Sequence, residues 1–220
     1  MQQITRFKAN KKYSKKKYLR NSNLYEMKSL CVFCGSAEGK DPQFVVQAEI
    51  LGKLMASQNI ELIYGGSQIG IMGAIANSCM KASGKVTGVI PNFLASKEIA
   101  HTGVTKLVRV ESMHERKTIM SQLSEGFIAL PGGFGTLEEL CEILTWRQLG
   151  LIHAPVGILN TNGYYDYLHQ LFAHMTVNGL LKKVNFDFVI WESDPARLLD
   201  KMVAAAGEIS ARKPSGLSKS

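Results

Sequence analysis

Residues 127–149 read FIALPGGFGTLEELCEILTWRQL. The stretch opens with the apolar run Phe127–Leu130, passes through a glycine-rich turn, and then repeats Leu and Ile at helical spacing from Thr136 to about Leu149. A short apolar run bounded by Pro and Gly is typical of a buried strand, whereas the second half has the 3.6-residue period of a helix. The stretch therefore predicts a strand, a tight turn and a helix, which is the repeating unit of an α/β fold.

The same unit recurs on both sides of this stretch. The other predicted strands are Leu30–Cys34, Ile60–Tyr64, Lys85–Ile90, Lys106–Val110, Val156–Leu159 and Phe188–Trp191. Amphipathic helices are predicted between them, with starts at Asp41-Pro42, Gly70, Ser112, Tyr164 and Asp194-Pro195, and the last of these is expected to run to about Ala206. Such alternation predicts right-handed βαβ units. The expected fold is a Rossmann-like, three-layer αβα domain with a mostly parallel sheet of about seven strands.

Composition narrows the class of protein further. Hydrophobic residues make up 45% and charged residues 20% of the 220-residue chain, as in globular proteins. No apolar run approaches the roughly 18–20 residues of a membrane span, and no secretory signal is recognisable. The four cysteines are few for a chain of this length, which favours reduced thiols. We therefore expect a cytoplasmic protein that does not enter a membrane.

The net positive charge of the chain comes from its two ends. Of the net charge of +8, residues 1–26 carry +7 and the residues after Glu208 carry +3, which leaves −2 for the body. A nucleic-acid-binding body is therefore not expected. Residues 27–208 are predicted to form one domain, flanked by a basic disordered arm (1–26) and a disordered tail (209–220). Three interpretations of the arm stay open: an alternative start at Met27, a genuine disordered arm, and targeting or nucleic-acid contact.

Glycine collects where three predicted strands end. Gly35-Ser36 follows the first strand, Gly65-Gly66 the second, and the 131–136 turn the fifth. Glycine lets backbone N–H groups approach an anion closely, and the N-terminus of a helix attracts negative charge. A phosphate is the expected occupant of the 131–136 turn, although tight strand-to-helix turns would also explain the glycines. No standard dinucleotide or P-loop signature is present.

Charged side chains follow these loops. Thr136 and Glu139 match a capping box, in which both residues would only close the end of the helix. The functional interpretation places the Glu139 carboxylate beside the sugar of a bound sugar phosphate. Arg116 and Lys117 lie at the start of another predicted helix, where cations oppose the helix dipole unless they meet an anion.

Two of these segments together resemble a known family. Pro131-Gly-Gly-Phe-Gly-Thr-Leu-Glu-Glu139 matches the P-G-G-x-G-T-x-x-E motif of the LOG (Lonely Guy) family, and Met113-His-Glu-Arg-Lys117 matches its M-H-x-R-K motif. The resemblance implies that Arg116 and Glu139 are the catalytic pair. It also implies nucleotide contacts by a wider set of residues, namely Glu98, Lys117, Gly132, Gly133, Phe134, Gly135, Thr136, Leu137, Glu138 and Thr145.

The resemblance also implies an activity. LOG proteins hydrolyse cytokinin riboside 5′-monophosphates, so the expected reaction cleaves the N-glycosidic bond of a purine nucleoside 5′-monophosphate, such as AMP or its N6-modified forms, without metal or organic cofactor. One alternative is a non-catalytic carrier of a nucleotide or pterin cofactor on the same fold. Another is a pyridoxal-phosphate lysine decarboxylase, which would need a Schiff-base lysine in the pocket.

A homodimer is the last expectation. LOG proteins are commonly dimers, and the helix predicted over Thr136–Leu149 is apolar on more than one face. An outer helix of an α/β domain buries only its sheet-facing side within its own chain, so a second subunit would cover the rest. Neighbouring helices of the same chain are the alternative cover.

Overall fold

Seven strands and eight helices are present in the computed structural model, which describes residues 25–95 and 100–212. The strands are β1 (Ser29–Phe33), β2 (Glu61–Tyr64), β3 (Val86–Pro91), β4 (Lys106–Val110), β5 (Phe127–Ala129), β6 (Val156–Leu159) and β7 (Val189–Glu192). The helices are α1 (Gln43–Ser57), α2 (Gly70–Lys81), α3 (Asn92–Ala95), α4 (Met113–Gln122), α5 (Phe134–Gln148), α6 (Asp166–Val177), α7 (Lys183–Asp187) and α8 (Pro195–Ala211). A single 3₁₀ turn, Thr161–Gly163, precedes α6.

The strands form one parallel sheet in the order β4-β3-β2-β1-β5-β6-β7. The prediction of an α/β fold with about seven strands is therefore confirmed. Strand β1 lies between β2 and β5, and its Val32 is in register with Tyr64 on one side and Ile128 on the other. The order of the strands reverses at this point, so the loops after β1 and β5 diverge. A crevice opens between such loops at the carboxyl edge of the sheet.

Side chains of each strand alternate between two hydrophobic layers, as the pleat of a strand requires. Leu30 and Val32 of β1 belong to a cluster with buried residues of α1, α2 and α8. Cys31 and Phe33 belong to a second cluster with buried residues of α4 and α5 and with the segment before α6. The sheet is thus covered on both faces, which explains why the sequence shows continuous apolar runs at its strands.

Several helix ends differ from the predictions, since α1 begins at Gln43 and α6 at Asp166, and the short helices α3 and α7 were not predicted. Helix α5 begins at Phe134, two residues before Thr136, and its N-cap is Gly133, which supplies no side-chain cap. Helix α8 has the predicted cap, since Asp194 Oδ1 accepts a hydrogen bond from the Arg197 N–H at 2.9 Å. It continues beyond Ala206 to Ala211, so the first residues assigned to the tail are helical.

At the N-terminal end, packing begins before the predicted boundary. Met27 is buried, with 4% of its surface exposed. Tyr25, which the sequence assigned to the arm, packs against the same cluster, and its side chain is hydrogen-bonded to Glu125. Residues 1–24 of the arm and 213–220 of the tail lie outside the described residues.

Candidate active site

A cleft of about 320 Å³ opens at the carboxyl edge of the sheet, between the loops that follow β1 and β5. Pockets of this size hold small molecules. Side chains and backbone from the first, second and fifth strands and from α2, α3, α4 and α5 meet there. The lining comprises Val32, Phe33, Cys34, Gly35, Ser36, Gly65, Met72, Leu94, Met113, Arg116, Gly133, Phe134, Gly135, Thr136, Glu138 and Glu139.

The N-terminus of α5 forms one wall of this cleft. The N–H groups of its first turn have no partners inside the helix, and the helix dipole adds positive potential at this end. A Cβ atom placed on Gly133 or Gly135 would meet no protein atom within 4 Å, so the backbone is open to a ligand on this side. Gly132 differs, because a Cβ there would collide with the Thr136 side chain. The wall is therefore shaped to receive an anion.

The capping-box interpretation of Thr136 and Glu139 is wrong. Thr136 is the third residue of α5 and is 4% exposed, so it lies inside the helix and not at its cap. Because Gly133 ends the loop without a side-chain cap, the first turn of the helix stays available to a ligand.

Arg116 of α4 is held in the cleft as a buried cation. Arg116 is 6% exposed. Helix α4 begins just before it and is capped by Ser112, whose Oγ accepts the Glu115 N–H at 3.1 Å. The Arg116 Nε donates to the carbonyl oxygen of Val89 at 3.1 Å and its Nη2 donates to that of Gly65 at 2.9 Å. These acceptors orient the guanidinium without neutralising it. A buried charge with neutral partners favours a nearby anion.

Glu139 faces the same cleft from the second turn of α5. Its charge acts on Cys34, at the end of β1. Burial raises the pKa of the Cys34 thiol well above its usual range, the Glu139 carboxylate raises it further, and the Arg116 guanidinium offsets part of the rise. Cys34 is therefore a protonated thiol, not a nucleophile. The cleft thus combines the carboxylates of Glu138 and Glu139, the guanidinium of Arg116 and a helix N-terminus.

Lys117 lies beside the cleft and not in its lining. Its ammonium donates to Glu138 at 2.6 Å and to Glu142 at 3.1 Å, which ties α4 to α5. Burial opposes the charge on Lys117, but the hydrogen bonds to these carboxylates outweigh burial and raise its pKa. Sequence reasoning missed Glu142, although its position one turn after Glu138 on the helix was a usable signal.

The remaining candidates fall into three groups. Gly66 and Gly132 stand next to lining residues and belong to the backbone that supports the cleft. Leu137 packs into the hydrophobic cluster under α5, and Thr145, nine residues after Thr136, lines a separate apolar groove. Glu98 lies outside the described residues.

The lining of the cleft also includes apolar side chains, a feature that sequence reasoning missed. Met72 of α2, Leu94 of α3 and Met113 of α4 lie in the lining with Phe134, which is 93% exposed. Each of the first three follows the carboxyl end of a strand, so the rule that ligands bind at that edge would have found them. The cleft therefore offers apolar contacts beside its charged groups, and Met113 Sδ lies 3.8 Å from Arg116 Nη1.

Within residues 25–95 and 100–212, no three His, Cys, Asp or Glu side chains are grouped as a metal site. The described helices include none of the length and hydropathy needed to cross a bilayer.

The fold and the cleft together define a class: a Rossmann-like α/β domain with a glycine-rich turn and a helix N-terminus at the point where strand order reverses. A family model described as "possible lysine decarboxylase" matches residues 72–202. A cytokinin riboside 5′-monophosphate phosphoribohydrolase of Rhodococcoides fascians is 44% identical over 155 residues, covering 70% of this chain and 78% of that protein. One of Arabidopsis thaliana is 40% identical over 177 residues, covering 80% and 78%. The chain therefore belongs to the LOG family, as its motifs indicated.

Solved structures share the fold. A molybdenum-cofactor carrier protein from Chlamydomonas reinhardtii superposes with a TM-score of 0.60 at 20% identity, covering 84% of this chain and 99% of that chain. A molybdenum-cofactor-binding protein from Rippkaea orientalis gives 0.62 at 24% identity, covering 81% and 96%. Identities this low support the architecture alone.

Proposed function

We propose that this protein hydrolyses the N-glycosidic bond of a purine nucleoside 5′-monophosphate and releases the free base and ribose 5-phosphate. The observation that carries the proposal is the convergence of Arg116 from α4 and Glu139 from α5 on a cleft walled by a helix N-terminus. The activity named for the relatives from Rhodococcoides fascians and Arabidopsis thaliana supports it.

In this proposal the 5′-phosphate binds at the start of α5. The backbone N–H groups of residues 133–136 donate to its oxygens, and the open space at Gly133 and Gly135 lets the phosphate approach the backbone. Arg116 adds charge-assisted hydrogen bonds from the opposite side of the cleft. The sugar then lies over the second turn of α5, where Glu139 faces the cleft.

The reaction exchanges the bond from C1′ to the base nitrogen for a bond from C1′ to a water oxygen. The electron pair of the broken bond leaves with the base, and a proton from water ends on the base. The transition state resembles an oxocarbenium ion, as in glycoside hydrolysis generally. The negative charge of Glu139 stabilises the positive charge that develops on the sugar, and its carboxylate is also placed to hold the ribose hydroxyls or to take the proton from water.

Met72, Leu94 and Met113 supply apolar surface in the lining of the cleft. A purine ring presents large apolar faces, and an N6 alkyl substituent adds more apolar surface to bury. We assign the base to these apolar side chains and the phosphate to the start of α5.

The carrier alternative shares the fold with the cofactor-binding proteins named above. A carrier needs the glycine turn but neither a buried guanidinium nor a carboxylate directed at the sugar, so Arg116 and Glu139 favour an enzyme. The decarboxylase alternative has less support. Among residues 25–95 and 100–212, which the structure describes, the cleft lining includes no lysine, and the Lys117 ammonium is bound by Glu138 and Glu142.

Incubation of the purified protein with AMP and with N6-isopentenyl-AMP tests the proposal. Chromatography should show free base and ribose 5-phosphate, and Glu139→Gln should lower kcat by roughly 10²–10⁴-fold, the usual contribution of such a group. Glu208→Gln, on the exposed side of α8, is the matched control and should keep full activity. Binding of AMP without cleavage would instead support the carrier, and a normal kcat for Glu139→Gln would refute the assignment of Glu139.

The proposal includes a homodimer. Several large apolar side chains of α5 to α7 and the turns around them are exposed, and their exposed fractions are 64% for Leu149, 86% for Val177, 85% for Leu180 and 68% for Val184. An apolar groove of about 180 Å³ between α5, α6 and α7 lies on the same layer, with Thr145 in its lining. A second copy packed by two-fold symmetry would cover this surface and brace the helix that carries Glu139.

The proposed location is the cytoplasm. All four cysteines are free, and Cys31, Cys34 and Cys79 are buried in the hydrophobic layers. Burial raises the pKa of Cys79 to about 11, so it behaves as a small apolar side chain. Free thiols of this kind are typical of a reducing compartment.

A further inference from the structure

The turn between β5 and α5 has an unusual arrangement of its carbonyl groups. The carbonyl oxygen of Leu130 accepts a hydrogen bond from the Tyr165 hydroxyl at 2.7 Å, and that of Gly132 accepts one from the Tyr164 hydroxyl at 2.7 Å. Between them, the carbonyl of Pro131 accepts the Gly35 N–H at 3.1 Å. Three consecutive carbonyls of the turn are therefore bound by groups from elsewhere in the fold.

The carbonyl group of the next residue, Gly133, also has a hydrogen-bond donor. The oxygen of Gly133 accepts the Leu137 N–H at 3.1 Å, which is the first hydrogen bond of α5. A turn that binds an anion has to present N–H groups and turn its carbonyl oxygens away, because each oxygen carries partial negative charge that repels a phosphate. The four bonds impose this orientation before a ligand arrives.

Both tyrosines are held firmly. Tyr165 is 3% exposed, and its N–H donates to Asn160 Oδ1 at 2.6 Å. The Tyr164 ring packs edge-on against Phe44 of α1 and against Tyr165, with centroid separations of 5.3 and 4.8 Å. Burial raises the pKa of the Tyr165 hydroxyl, so this group stays protonated and remains a donor. The segment after β6 thus acts as a fixed support behind the turn.

We propose that Tyr164 and Tyr165 are positioning residues that hold the 130–133 turn in its phosphate-binding conformation. The inference rests on the proposed function, since it assumes a sugar phosphate in the cleft. Neither tyrosine lines the cleft, so neither touches the substrate, and their effect reaches the phosphate only through the carbonyls that they bind. Loss of either hydroxyl frees the turn to rotate an oxygen toward the phosphate site.

The test compares Tyr164→Phe and Tyr165→Phe with Tyr167→Phe, whose side chain is 83% exposed on α6. Calorimetry measures the Kd of ribose 5-phosphate, and steady-state kinetics measures KM and kcat for AMP. Tyr164→Phe should raise both Kd and KM about fivefold, roughly the factor that one neutral hydrogen bond contributes. Its kcat should stay within twofold of that of the unsubstituted protein. Tyr167→Phe should change none of the three.

Tyr165→Phe leaves a buried carbonyl without its donor, so its melting temperature is measured as well. Tyr164 is 43% exposed, and its variant keeps the test valid if Tyr165→Phe fails to fold. The inference is overturned if Tyr164→Phe binds ribose 5-phosphate with the same Kd as the unsubstituted protein, whether or not kcat falls. It is also overturned if the unsubstituted protein does not bind ribose 5-phosphate. Weaker binding of ribose 5-phosphate by the variants, in a protein that cleaves neither AMP nor N6-isopentenyl-AMP, supports the positioning role while refuting the proposed hydrolysis.

Discussion

At the scale of single residues, Gly133 and Gly135 at the start of α5 are glycines that packing does not require. Their replacement therefore distinguishes an effect on ligand binding from an effect on stability. Most glycines near the cleft are required by packing, as at Gly65, where a Cβ would collide with the Arg116 guanidinium. Gly135 is different, since a Cβ there would meet nothing within 4 Å and the residue is already helical. Packing within the protein therefore does not require glycine at this position, whereas the approach of the proposed phosphate would.

Gly135→Ala should consequently stabilise the fold and weaken substrate binding. Alanine in a helix is more stable than glycine by up to roughly 0.5–1 kcal/mol, whereas its methyl group occupies space through which the phosphate approaches. We expect a small rise in melting temperature and an increase in KM for AMP of about tenfold or more, measured by thermal unfolding and steady-state kinetics. Unchanged KM in the stabilised variant would show that the phosphate does not contact this turn.

At the scale of elements, the Lys117 bridge fixes how α4 and α5 lie against each other. Arg116 is the preceding residue on α4, and Glu139 follows Glu138 on α5, so the bridge lies next to both proposed catalytic groups. The Lys117 side chain is 12% exposed, whereas Glu138 and Glu142 are 53% and 25% exposed, so solvent screens the bridge in part. The orientation of the catalytic pair therefore depends on a contact between two helices.

Lys117→Met should lower kcat/KM for AMP by about tenfold and stability by about 1–2 kcal/mol, a value between those of exposed and buried pairs. Lys117→Arg keeps the charge and should restore part of both. Lys183→Met is the matched control, because Lys183 forms an exposed ion pair with Asp187 that contributes little. Normal kcat/KM in a destabilised Lys117→Met would limit the bridge to a structural role.

At the scale of the whole molecule, the exposed apolar layer of α5 to α7 predicts the state of association. Light scattering at micromolar concentration should give about twice the 24.2 kDa mass of one chain. Val184→Lys places a charge on the exposed part of this layer and should shift the mass toward the monomer, whereas Val46→Lys, on α1 in the opposite layer, should not. A fully active protein with the mass of one chain would refute the dimer.

Much of the fold was accessible from the sequence because its signals are local. Each strand reads as a short apolar run and most of the longer helices as a 3.6-residue period. These patterns located all seven strands to within one residue at either end, whereas the short helices α3 and α7 were not predicted. The glycine turn and the two family motifs likewise indicated Arg116 and Glu139, since both are recognised from adjacent residues.

Tertiary structure alone decided the rest, because the remaining features join residues far apart in the chain. The place of β5 beside β1, and hence the crevice, depends on pairing between Cys31 and Phe127. The Lys117 bridge spans 21 and 25 residues, and the bond from Tyr165 to Leu130 spans 35. Contacts between residues so far apart leave no periodic pattern in the sequence. The sequence by itself determined which residues carry charge and where the turns fall, and packing of the two helical layers on the sheet determined which of them face one another.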